Sequence, residues 1–284
     1  MKILSSRPFS FVIIAIVYAV ATVCGIVSYI YLPFDFWLNL LLADIIATVV
    51  TFIFSLIFRN ASVYDPYWSV QPIIIAAAFA INAPEFGAAQ FLPLIAVFLW
   101  GIRLTANWAY TFRGIRHQDW RYTMLKEKTG KLYPVINFCG IHIVPTLIVY
   151  GCILPVVYTL VYAPKFNAGS AIFFAVSIFA IALQGIADCQ MHIFRKDGKG
   201  GFIRYGLWKY SRHPNYLGEI LMWWGIALAF VCVMPDYWYL TAGAFVNTLL
   251  FLFVSIPLAD GRQSRKEGFA DYKAATRMLL PIKK

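Results

Sequence analysis

Long apolar runs separated by short polar breaks dominate this chain, and the runs have the length of membrane-crossing helices. Stretches of roughly 20 apolar residues, enough to cross a hydrocarbon core of about 30 Å as helix, predict spans at Phe9 to Tyr31, Phe36 to Phe58, Trp68 to Ala83, Ala89 to Thr111, Phe138 to Tyr162, Ser170 to Phe194, Tyr216 to Met234 and Tyr237 to Leu258. The third is the shortest and the first to drop. The pattern therefore predicts an all-α, polytopic membrane helix bundle with seven or eight transmembrane helices and both termini cytosolic. With no internal repeat or flexible linker, residues 1–284 read as a single membrane domain.

Composition supports this class. Of 284 residues 61% are hydrophobic and 13% charged, which excludes an ordinary soluble protein of this size. The first run imitates a secretory signal, with Lys2 and Arg7 ahead of it, but it continues to Tyr31, longer than a signal core, so a retained helix is expected. The five cysteines stand singly in apolar segments and read as small buried hydrophobes.

The net charge of +11 is distributed rather than patched. With eight spans, every Lys and Arg except Lys165 and Arg103 falls at the cytosolic side, the distribution expected of a multi-pass protein. No basic groove with interleaved stacking aromatics is present, which argues against nucleic acid. The longer cytosolic segments, Arg113 to Asn137, Arg195 to His213 and the tail from Ala259, suggest a ligand bound from that side. The bacterial inner membrane and the endoplasmic reticulum fit equally.

Ionisable groups within spans need a partner, a cavity or a task. Arg103, Asn107 and Tyr110 share one helical stripe, either snorkelling or facing an anion or amide. Gln184, Asp188 and Arg195 form another, either satisfying neighbouring helices or lining a pocket. In "KYSRHPNYLGE", Pro214 predicts a helix start with Arg212 and His213 just before it and Asn215, Tyr216 and Glu219 in its first turns. That arrangement is either an anion site or a structural cap in which Arg212 pairs with Glu219. The tail residues Arg262 and Arg265 belong either to ligand binding or to a solvated helix near anionic headgroups. Asp44 lies mid-span, and His142 reads as an interior histidine. No His, Cys or carboxylate cluster has metal-ligand spacing, so no metal site is expected.

"GLWKYSRHPNYLGEILMWWGIAL", preceded by Asp188 and Arg195 and followed by "GFADYKAATRMLLPI", resembles the steroid 5α-reductase C-terminal domain superfamily. "NASVYDPYWSV", "LWGIRLTANWAY" and "HQDWRY" narrow the resemblance to the DUF1295 family over nearly the whole chain. The Arg-His-Pro-x-Tyr-x-Gly portion is shared with isoprenylcysteine carboxyl methyltransferases and phospholipid methyltransferases. The resemblance implies N-terminal helices over 1–111 at the substrate end and a cofactor cradle in 138–284. It further implies a membrane oxidoreductase reducing a C=C bond conjugated to a carbonyl, with NADPH as cofactor and a hydrophobic lipid or small molecule as substrate.

Carried over by motif, Gln184, Asp188, Arg195, Tyr210, Asn215 and Glu219 match cofactor-contacting positions, and Arg103 matches an arginine of the family's central helix; Asn107, Tyr205, Arg212, His213, Tyr216, Arg262 and Arg265 join them as expected cofactor contacts. The Gln-Glu pair that the steroid enzymes carry in an early helix is not visible. "VYDPYWSVQP" offers Asp65 and Tyr67 as catalytic groups, with Tyr64, Trp68 and Gln71 beside the substrate; Trp100 stands where a tyrosine is expected. Asp65 equally suits a helix cap around Pro66. An S-adenosylmethionine-dependent membrane methyltransferase and a non-catalytic lipid-binding protein are the alternative functions.

Overall fold

The computed structural model describes residues 6–198 and 200–281; Lys2, Lys199, Lys283 and Lys284, which enter the charge pattern, lie outside them. In chain order the helices are α1 (Arg7–Tyr31), α2 (Phe36–Ile57), α3 (Tyr67–Ile81), α4 (Ala88–Thr111), α5 (Trp120–Thr129), α6 (Tyr133–Ile136), α7 (Val144–Tyr162), α8 (Ala168–Lys196), α9 (Pro214–Val233), α10 (Ala242–Leu250), α11 (Ile256–Gln263) and α12 (Phe269–Ala275). Widened π turns at Asn137–Ile143 and Phe251–Ser255 join α6 to α7 and α10 to α11. The fold is an all-α polytopic bundle, and among the described residues seven helical stretches are long and apolar enough to cross a membrane.

The third expected span is not among the seven. It forms α3, which runs from Tyr67 to Ile81 for 15 residues, close to the expected bounds, after a tight 3₁₀ turn at Ala61–Tyr64. At 1.5 Å per residue it rises about 22 Å, short of a hydrocarbon core.

The chain divides into two compact units: the first runs up to Ile75 and resumes over Gly101–Leu154, and the second holds Ala76–Trp100 and everything from Pro155. In the first, α1 and α2 form an antiparallel pair in which Gly25 lets the backbone of Ala43 approach. Their apolar seam includes Val17, Ala21 and Ala47. The loop after α2 is stitched to the loop before α5: Asn60 donates to the Ile115 and His117 carbonyls, Gln118 accepts from the Ala61 amide, and Ser62 accepts from the Asp119 amide. These bonds hold Tyr64, Asp65 and Tyr67 in place.

In the second unit α8 lies along α9, and the seam exists because two positions carry no side chain. A Cβ on Gly218 would stand 2.7 Å from the Ala180 carbonyl, and one on Gly225 would stand 2.8 Å from that of Phe173. Ser177 closes the seam by donating to the Met222 carbonyl at 3.0 Å. Helix α9 starts at Pro214, as expected. Proline suits a first turn, where its missing N–H costs no helical bond.

The tail is strapped onto the loop before α9. Phe269 is buried against Phe202 and Tyr272, and the Tyr272 hydroxyl donates to the Trp208 carbonyl. The Arg212 amide donates to the Arg277 carbonyl at 2.9 Å. A tail merely floating at the headgroups is thereby replaced by one folded into the second unit.

Candidate functional site

The start of α9 gathers the polar groups that the sequence singles out, but divides them into two tasks. Arg212, His213 and Asp260 form a buried knot: Asp260 accepts from an Arg212 Nη at 3.0 Å and lies 2.9 Å from His213 Nε2. Arg212 also donates to the Thr276 carbonyl at 2.6 Å, and the His213 ring stacks on Tyr216 at 5.2 Å. The Arg212 charge therefore fastens the tail to α9. This corrects both the free-anion-site reading and the expected Arg212–Glu219 pairing, because Asp260 on α11 supplies the nearer carboxylate.

Glu219 has different partners. Both its oxygens lie 2.9 Å from the Trp100 indole nitrogen, and Trp223, one turn further along α9, donates to Oε1 at 2.9 Å. The two indoles meet edge to face at 4.8 Å. Trp100 is thus joined to a residue expected at the cofactor rather than standing alone at the substrate. Gln184 is buried on α8 against Gly218. Asn215 keeps a buried side-chain oxygen without a hydrogen-bond partner among the described residues.

The end of α8 carries the second task. Arg195, on α8, is within electrostatic reach of Asp188 and of Arg262. Lys266, absent from the sequence expectation, completes the group, with its ammonium donating to the Gly201 carbonyl at 2.5 Å. Burial holds the Lys266 pKa below its ordinary value, and Arg262 and Arg195 push it the same way. Cations converging on one spot repel unless an anion is shared. Tyr205 and Tyr210 are exposed, and Arg265 also lies at the surface.

In the first unit, Arg103 and Asn107 sit half-buried on α4, while Tyr110 is exposed. Asp65 and Tyr67, the two candidate catalytic groups, take separate partners. Asp65 accepts from the Tyr122 hydroxyl at 2.5 Å and lies 3.8 Å from Arg121. Its carboxyl serves as a clamp on "HQDWRY" rather than as a cap for α3. Burial pushes the Asp65 pKa up to about 6, against the opposing pull of Arg121 and the Tyr122 bond.

Because the folded value lies above the unfolded value of about 3.9, ionisation of Asp65 costs the folded state. That cost is absent at low pH, grows as pH rises toward about 6, and is constant above. Wild type should therefore lose stability relative to Asp65→Asn between about pH 4 and 7, by on the order of 2 kcal/mol. Thermal unfolding of both proteins across that range checks this, and a constant difference in Tm counts against it.

Tyr67 turns to Asp44 on α2, donating to Oδ1 at 3.2 Å, and Gln71 one turn later on α3 also reaches that carboxyl. Tyr64, its ring centroid 5.2 Å from that of Tyr67, shares a hydrogen bond with Thr146 at 2.7 Å. Trp68 is half-buried beside them and packs against the first unit's apolar cluster. Asp44 is thus the carboxylate partner that spacing alone did not connect to "VYDPYWSVQP".

The fold defines a polytopic helical membrane protein with a charged cradle in one unit and a buried acid–tyrosine pair in the other. Residues 51–276 match the family described as "Protein of unknown function (DUF1295)", and the chain belongs to that family. It is 28% identical over 217 residues to an uncharacterised protein of Schizosaccharomyces pombe. That match covers 66% of this chain and 62% of the relative, so the chain spans less than two thirds of the relative's own length. No solved structure matches.

Proposed function

We propose that this protein is a membrane oxidoreductase that reduces a carbon–carbon double bond conjugated to a carbonyl in a lipid, with NADPH as reductant. The observation that carries the reading is the convergence of Arg195, Arg262 and Lys266 at the end of α8. Phosphate groups supply the anion such a cluster calls for. The unpartnered Asn215 oxygen suits an amide N–H, and Gln184 adds a second polar group on the facing helix. These residues fit NADPH better than S-adenosylmethionine, which has no phosphate.

When bound, NADPH supplies a hydride to the β-carbon of the enone. The chain's own part falls to Tyr67 and Asp44. Asp44 Oδ1 holds the single Tyr67 hydroxyl proton in the free protein, and on substrate binding that hydroxyl turns to donate the proton to the carbonyl oxygen as negative charge develops there. This pair takes the place of the Gln-Glu pair of the steroid enzymes. Glu219, held by two indoles, fixes the first turns of α9.

Titration of the purified protein with NADPH, NADH and S-adenosylmethionine, read by thermal shift, tests the reading. NADPH should stabilise most strongly, and Arg195→Ala or Lys266→Ala should weaken NADPH by about tenfold or more, consistent with loss of a charge-assisted contact. Stabilisation by S-adenosylmethionine alone would replace the reductase reading with that of a membrane methyltransferase.

A further inference from the structure

His142 occupies the π turn before α7 with its side chain fully enclosed. Its Nδ1 lies 3.0 Å from the Asn137 carbonyl oxygen. A carbonyl only accepts, so in the neutral ring Nδ1 carries the proton and Nε2 presents a lone pair. Among the described residues Nε2 has no hydrogen-bond partner, and neither has Asp44 Oδ2. Both side chains are more than nine-tenths buried.

The two belong to one polar cluster within the first unit. The Tyr64 ring is 4.6 Å from His142 and 5.2 Å from Tyr67, whose hydroxyl reaches Asp44. Tyr64, Thr146 and Thr48 are linked in a short chain of hydroxyls at 2.7 and 2.8 Å. Phe52 closes the other side of the imidazole edge to face at 5.2 Å. Cys139 and Gly140 of the same π turn are exposed. A π turn costs hydrogen-bond geometry and often marks a functional position. Here the widened turn holds the imidazole against Tyr64.

We infer that His142 is a specificity-determining residue that accepts a hydrogen bond from a hydroxyl group of the lipid this protein binds. A hydroxyl donates to Nε2 and can accept in turn from the neighbouring Tyr64–Thr146–Thr48 set, whereas an ether or hydrocarbon leaves the lone pair unmet. Taking that lipid as the substrate rests on the reductase reading and narrows it to a hydroxylated enone; the binding itself requires neither NADPH nor turnover.

The test uses full-length protein in lipid nanodiscs and two photoactivatable probes, a long-chain alcohol carrying a diazirine and its methyl ether. The alcohol should label α2 and the Asn137–Ile143 turn about five- to tenfold more than the ether, the preference one neutral hydrogen bond supports. His142→Phe should erase the preference, and His142→Gln, which retains an acceptor, should keep most of it. Equal labelling of wild type by both probes, or no labelling of these segments, overturns the inference and leaves Nε2 to a buried water. A preference that survives in His142→Phe also overturns it. The wild-type comparison decides even if a variant fails to fold, and failure of the NADPH titration leaves the alcohol-to-ether ratio unaffected.

Discussion

Replacing Tyr67 with phenylalanine should lower NADPH-dependent reduction of a lipid enone by about 10²–10⁴-fold, the usual range for losing a positioned acid. The thermal shift produced by NADPH itself should stay that of wild type. Phenylalanine fills the same volume and keeps the edge contact with Tyr18 and the tilted contact with Tyr64, so the loss is confined to the hydroxyl that meets Asp44. Asp44→Ala should reproduce much of the loss, because Tyr67 then lacks its orienting acceptor, whereas Asp65→Asn should leave turnover largely intact. Single-turnover kinetics at saturating NADPH separate these cases. Full activity in Tyr67→Phe would remove the proposed proton donor.

The second large effect concerns stability. Asp260→Ala should cost about 3–5 kcal/mol, the penalty for stranding a buried charge, because Arg212 and His213 lose the carboxylate they share. Lys273, whose ammonium lies 3.8 Å from the same carboxylate and is more than half exposed, loses that partner too and supplies no acceptor in its place. Asp260→Asn retains the shape and one acceptor and should cost less. Limited proteolysis of Asp260→Ala should cut first in the tail beyond Gln263, since the knot that holds Thr276 and Arg277 to Arg212 has been opened. A tail as resistant as in wild type would show that the apolar contacts of Phe269 suffice.

The bundle itself was legible because crossing a bilayer demands long apolar runs, and such runs survive in sequence as composition. Pro214 marked the start of α9 for a similarly local reason. The short third span was legible as well, expected at Trp68 to Ala83 and found as α3 at Tyr67–Ile81; the 3₁₀ turn ahead of it was not, because bonds from Asn60, Ala61 and Ser62 to the distant loop at 115–119 wind it. The same limit applied at the site. Gln184, Asp188 and Arg195 share one helix, so spacing alone grouped them. Tyr67 meets Asp44 and Arg212 meets Asp260 across different helices, where no periodicity connects them. Lys266 resembled any other tail lysine until the strap brought it beside Arg195 and Arg262.

The division of the chain also bears on how the protein is made. Ala76–Trp100 belongs to the second unit but is synthesised before Gly101–Leu154, which completes the first. The end of α3 and the first half of α4 must therefore wait for their partners while the first unit closes, and neither unit corresponds to an uninterrupted stretch of message. For an insertion machinery that releases helices in order, this protein is a single task finished only when the last strap has emerged.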